Sequence, residues 1–323
     1  MSKISKAFEN GKAFIPFITC GDPNLEVTKE AVIVMEKAGA DLVELGIPFS
    51  DPTAEGPVIL EANIRALKNT ITTDHVFDMV RELRETVKIP LVFMTYANVI
   101  YSYGAERFMK NCQEIGIDGV ILPDIPFEEK EEFDDICKQY GVEFISMIAP
   151  TSEQRIGMIA KEANGFMYCV SSLGVTGTRG SITTNIKEMV AKVKEQKNIP
   201  CAVGFGISTP EQAAKVAKQA DGVIVGSAIV KLCAKYGEEA VAHIAQYVRE
   251  MTEAVVRDGI PGLEVGVIDD LLGILVVFED VVSDGVAVPS ILSVGLGDRG
   301  LRAREIQIYD LLIFHVGCSF QVF

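Results

Sequence analysis

The chain has 323 residues and a formal net charge of −15, with 45 acidic side chains against 30 Lys and Arg. A length of this order suits one large α/β domain, or one domain with an appendage. The acidic balance leaves no basic stripe for a nucleic-acid backbone, but a phosphorylated small molecule stays compatible, because backbone N–H groups and a helix N-terminus hold phosphate without lysine.

Strand-like and helix-like patterns alternate along the chain. Residues 13–19 form a β-rich run, and 24–37 carry apolar residues at helical spacing. A strand over 41–46 precedes helices over 57–67 and 75–87. A strand over 90–95 leads to a helix over 105–115. A strand over 119–122 leads to a helix over 128–140, whose charge run Glu128-Glu129-Lys130-Glu131-Glu132 reads as a solvated face. Strands over 143–148, 166–171, 201–203 and 222–225 follow. Their helices are expected over 153–162, 186–195, 210–218, 228–235 and 238–254.

Eight strands, each followed by helix, with continuous apolar sequences, are the mark of a parallel sheet buried on both faces. The count predicts a (β/α)₈ TIM barrel over residues 1–256, a fold of usually ~250 residues. A doubly wound open sheet is the alternative, but no GxGxxG sequence opens a helix.

The character of the chain changes after Val256. No lysine follows Lys235, and residues 257–323 are an atypical, Gly/Val/Leu-rich extension of uncertain structure. Its run Leu271-Leu272-Gly273-Ile274-Leu275-Val276-Val277-Phe278 is too short to span a bilayer and would aggregate if exposed. A foreign extension is the favoured reading; a small cap on the barrel and a partner-binding segment are the others.

No signal peptide or membrane span is expected. The seven cysteines are scattered without a CxxC spacing, which fits small buried hydrophobes in a reducing cytoplasm. His75, His243 and His315 are isolated from one another, so no metal site is expected.

The segment Val43 to Pro57 carries the most chemical information. Glu44 sits inside an apolar strand, where a carboxylate is costly unless it is paired or kept for chemistry. No Arg or Lys lies in its flanking strand sequence, so a structural partner would have to come from elsewhere in the fold. In a barrel, Glu44 points into the mouth, and Glu55 can fold over it from the following loop, which also carries Asp51. Glycines recur at later strand ends: Gly174-Val175-Thr176-Gly177 after the sixth, Gly204-Phe205-Gly206-Ile207-Ser208 after the seventh, Gly226-Ser227-Ala228 after the eighth. Loops there, with a helix N-terminus, form the usual phosphate cradle of this fold. By themselves they indicate a phosphorylated ligand and leave the reaction open.

From about Phe8 to Val256 the chain resembles the α subunit of tryptophan synthase. The likeness is carried by Phe14-Ile15-Pro16-Phe17-Ile18-Thr19-Cys20-Gly21-Asp22-Pro23, by the Glu44–Pro57 segment, by Met94-Thr95-Tyr96-Ala97-Asn98, by Asp124-Ile125-Pro126 and by the three glycine motifs. The resemblance implies a lyase that cleaves indole-3-glycerol phosphate to indole and glyceraldehyde 3-phosphate without a cofactor. It implies Glu44 as the acid/base. It implies Glu55 as the carboxylate facing the indole N–H, where the family commonly has Asp. It implies that Phe17, Tyr168 and Phe205 line the pocket, and that Thr176, Gly177, Gly206, Gly226 and Ser227 bind phosphate. For Phe17 and Phe205, ordinary barrel core is the competing reading. The family works as an α2β2 complex with a β subunit, to which the pyridoxal phosphate would belong; loops 48–57 and 173–184 would meet that partner and close over substrate. A stand-alone lyase, a binding-only activator of the β subunit and another phosphosugar enzyme are the alternatives.

Overall fold

Ala13–Thr19 (β1) is buried at every position, as expected of a strand with neighbours on both sides and side chains packed on both faces. In the computed structural model the described residues are 3–9, 11–150, 153–171, 185–204, 206–259 and the strands 263–267, 274–283, 286–295 and 302–306. The chain divides into two compact units, Met1–Gly259 and Ile260–Phe323.

In the first unit, β1 pairs in parallel with Val43–Gly46 (β2) on one side and with the last strand of the unit, Gly222–Val225, on the other. From β2 the sheet runs through Leu91–Met94 (β3), Gly119–Ile121 (β4) and Glu143–Phe144 (β5). In the other direction it runs from Gly222–Val225 (β9) through Cys201–Gly204 (β8) and Met167–Val170 (β7) to Met147–Ile148 (β6). β5 and β6 are halves of one segment, parted by Ile145 and Ser146. Ile145 donates its N–H to Val120 O at 2.9 Å, and Ser146 O accepts from Tyr168 N–H at 3.0 Å. The segment thus pairs with β4 and with β7, and closes the sheet into the expected barrel. The strand predicted over 143–148 is interrupted because it changes partner midway.

Inward positions alternate along each strand. Ala13, Ile15, Leu42, Val92, Ile121, Ile145, Phe166, Tyr168, Ala202 and Ile224 fill the interior, with Ile4 closing it from the N-terminal side. The opposite faces of the strands pack against the helices. At the N-terminal face one device recurs: Asp41 accepts the N–H of Phe14 at 2.8 Å, Asp118 that of Leu91 at 3.0 Å and Asp221 that of Cys201 at 2.9 Å. Each aspartate stands just ahead of its own strand and ties a donor in the first two residues of a neighbouring strand. Arg84 adds a stitch, donating to Asp118 at 2.6 Å and to the carbonyls of Gly116 and Ile89.

Two local expectations are corrected. A helix over Ala97–Tyr103 was not expected; it is one short piece ended by Gly104 at φ 92°, a left-handed position suited to glycine. The charge run near 130 is not wholly solvated. It forms a 3₁₀ turn, Phe127–Glu129, then the helix Glu131–Gln139. Lys130 turns inward at 6 % exposure and pairs with Glu162 at 2.7 Å.

The second unit contains an antiparallel sheet of Leu263–Val267 (β10), Ile274–Ser283 (β11), Val286–Gly295 (β12) and Arg302–Ile306 (β13), in that order. No elements were expected there, since β-branched residues without a lasting period give no clear signal. Among the described residues no helix is long and apolar enough to cross a membrane.

Candidate active site

Glu44 follows the interior residue Leu42 by two positions, so the pleat turns it inward toward the C-terminal mouth. It is 1 % exposed, and neither carboxylate oxygen has a hydrogen-bond partner among the described residues. Burial pushes its pKa up to about 8, because an unpaired charge in a dry interior is disfavoured. The carboxyl therefore holds its proton at neutral pH.

Phe17 is the register partner of Glu44 across β1 and β2. Its ring lies so close to Gly46 that an added Cβ would stand 2.6 Å from Cζ; at Gly226 the nearest ring atom would be 3.2 Å away. The two glycines leave space for this ring, so glycine at 226 serves packing as well as any anion site. Tyr168 is held similarly: a Cβ at Gly204 would meet its Oη at 2.7 Å.

Glu55 enters from the loop after β2. Gly56 and Pro57 begin the next helix directly behind it, Pro57 at the position where a missing N–H costs nothing. Asn63, on the buried face of that helix, donates to Glu55 Oε2 at 2.6 Å. The Tyr96 hydroxyl accepts the N–H of the preceding residue, Ala54, at 3.2 Å and favours the ionised form of the same carboxylate. Burial raises Glu55 to about 7, and these two donors act against it.

Phe17, Glu44, Glu55, Tyr168, Gly206, Gly226 and Ser227 line one cavity of about 640 Å³ counted to its open mouth. Ile59, Met94, Pro123, Met147, Ile207 and Ile224 supply apolar wall, and Ala54 and Tyr96 complete the lining. Gly206 has φ 92°. Gly226 and Ser227 begin the helix Ser227–Tyr236, whose first N–H groups have no partner within the helix. The structure thus brings seven of the sequence-predicted residues together. Thr176, Gly177 and Phe205, with loop 173–184, lie outside the described residues. Asp51 is exposed and does not line the cavity.

Asn63 and Tyr96 were given no role from the sequence. A signal existed for Asn63: it is the polar residue in the buried stripe Ile59, Ala62, Asn63, Ala66. Tyr96 stands at a strand end, within the Met94–Asn98 run that carries the family likeness. Among the described residues no His, Cys, Asp and Glu cluster has the spacing of a metal site.

The cavity combines a protonated carboxyl, a second carboxyl, flat apolar walls and a helix N-terminus. It suits an aromatic ligand with an anionic end. Residues 4–256 match the family model described as tryptophan synthase alpha chain. The chain belongs to the tryptophan synthase alpha chain family. It is 47 % identical over 255 residues to the tryptophan synthase alpha chain of Lacticaseibacillus casei, covering 79 % of this chain and 96 % of that one. The Lactiplantibacillus plantarum alpha chain is 48 % identical over 256 residues, covering 79 % and 97 %. The crystal structure of tryptophan synthase subunit alpha from Legionella pneumophila superposes with a TM-score of 0.71 at 38 % identity, covering 79 % of this chain and 99 % of that one. A chain of the tryptophan synthase complex from Pyrococcus furiosus gives 0.69 at 34 % identity, covering 75 % and 99 %.

Proposed function

We propose that this chain cleaves indole-3-glycerol phosphate to indole and glyceraldehyde 3-phosphate, as the α subunit of a tryptophan synthase. One observation carries the reading: a buried, proton-holding Glu44, without a hydrogen-bond partner among the described residues, shares an apolar-walled cavity with a second carboxyl, in a chain of this family.

The steps balance on these two groups. Glu44 gives its proton to indole C3, and positive charge spreads to the ring nitrogen. The Glu55 carboxylate accepts the ring N–H and stabilises that charge. Glu44, now ionised, removes the proton of the side-chain hydroxyl next to the scissile bond. The carbon–carbon bond breaks, its electrons return to the indole ring, and the hydroxyl-bearing carbon leaves as the aldehyde. Glu44 ends protonated, ready for the next cycle, and the chain needs no cofactor. Phe17, Tyr168 and Phe205 would line the pocket around the ring, and Thr176, Gly177, Gly206, Gly226 and Ser227 would hold the phosphate.

The barrel of residues 1–256 would carry the whole reaction, with 257–323 an appendage outside it. The partner would be a β subunit holding pyridoxal phosphate in an α2β2 complex, approached by loops 48–57 and 173–184. Indole release by the purified chain, alone and with a β subunit, tests the reading. Slow release that rises with the partner supports it. No release under either condition from the folded chain contradicts the lyase reading and favours a binding-only barrel.

A further inference from the structure

Glu55 reaches the cavity from a loop, on a side chain with considerable rotamer freedom. Side chains from two different elements remove that freedom. Asn63, two turns along the helix Pro57–Lys68 and 3 % exposed, donates to Oε2 at 2.6 Å. Tyr96, beyond the end of β3 and also buried, accepts the N–H of Ala54, the residue before Glu55, at 3.2 Å and favours the ionised form of the same carboxylate. Tyr96 is itself fixed. Its ring packs on Phe49 with centroids 5.3 Å apart, and the next N–H, of Ala97, donates to Asp124 at 3.1 and 3.2 Å. One tyrosine therefore touches the loop at two places, Phe49 and Ala54.

We propose that Asn63 and Tyr96 are positioning residues for the Glu55 carboxylate: they fix where it meets a ligand N–H, and Tyr96 also latches loop 48–57 to the barrel rim. The effect on turnover rests on the lyase reading; the positioning itself does not.

The charges around Glu55 are all acidic. Glu44 faces the same cavity, Asp124 lies behind Tyr96, and Asp51 is exposed on the same loop. No Arg, Lys or His lines the cavity among the described residues. The donors from Asn63 and Tyr96 are thus the groups that favour ionised Glu55, and removing either raises its pKa.

Tyr96→Phe and Asn63→Leu in the full chain test the proposal. Tyr96→Phe keeps the ring against Phe49, so folding is expected to survive. The first readout is the titration of the Glu55 carboxyl by ¹³C NMR, assigned by its loss in Glu55→Gln. It is expected to move up by about 0.5 to 1 pH unit in each variant. The second is indole release: kcat/KM falls about tenfold, its acid limb shifts upward, and both losses shrink to about twofold or less in a Glu55→Gln background. A Glu55 titration unchanged in both variants, or losses fully additive with Glu55→Gln, would overturn the proposal. A moved titration in a chain without any wild-type turnover would support the positioning and overturn the lyase reading alone.

Discussion

Phe17 and Glu44 are register partners across β1 and β2, and both side chains enter the cavity at the mouth of the barrel. An aromatic wall thus stands beside a carboxyl that has no hydrogen-bond partner among the described residues. The pairing keeps water away from Glu44 and holds its proton in place at neutral pH.

Glu44→Gln is expected to keep the fold and to lower indole release by about 10³-fold, within the range for a lost general acid/base. Its stability should also respond to pH in a defined sense. Folded Glu44 keeps a proton to about pH 8, whereas the unfolded side chain releases it near 4.5. Wild-type stability therefore falls as pH rises through that window, and the glutamine variant lacks this share of the fall. Urea unfolding at pH 5 and pH 8.5 checks it: the variant gains on wild type at the higher pH.

The pH profile of kcat/KM should be a narrow bell. Activity needs Glu55 ionised, so it is lost as pH falls below about 7. It needs Glu44 protonated, so it is lost as pH rises above about 8. A broad plateau from pH 5 to 9 would contradict these assignments.

Much of this was legible before any coordinates. Alternation of apolar runs gave the eight strands, because parallel strands buried on both faces leave a continuous hydrophobic signal. Glu44 stood out because a carboxylate breaks such a run. Asn63 gave a weaker signal, one amide within the apolar stripe Ile59, Ala62, Ala66, and its partner Glu55 shows only once the helix is placed. The inward turn of Lys130 was hidden for a similar reason: its acidic neighbours suggest a solvated ion pair such as that with Asp134, whereas the shorter contact is to Glu162 on another helix. The strands within 263–306 have no lasting alternation, and their pairing is visible only in three dimensions.

Glu55→Asp shortens the side chain and withdraws the carboxylate from Asn63, now 2.6 Å away. Turnover is expected to fall, by up to about 10² for a displacement of about 1 Å. A steep rise would mean that the loop has not adjusted to glutamate.

Gly46→Ala should drive the Phe17 ring into the cavity, since the new Cβ would stand 2.6 Å from Cζ. The expected cost is about 1–3 kcal/mol of stability from overpacking, with KM raised more than kcat is lowered. Thermal unfolding and steady-state kinetics on the same preparation separate the two effects.

Arg84→Met supplies the contrast at the opposite face. It removes the stitch to Asp118, Gly116 and Ile89 and is expected to cost about 3 kcal/mol, as when one partner of a buried ion pair is lost. Turnover per folded molecule should stay within twofold of wild type, about the size of a neutral change.

The most direct test of the account is to measure indole and glyceraldehyde 3-phosphate together, from wild type and from Glu44→Gln, with indole-3-glycerol phosphate as substrate. The account predicts equal amounts of the two products from wild type and at least about 10²-fold less of both from the variant. Products at the wild-type rate from Glu44→Gln, or none from a folded wild-type chain, would contradict it.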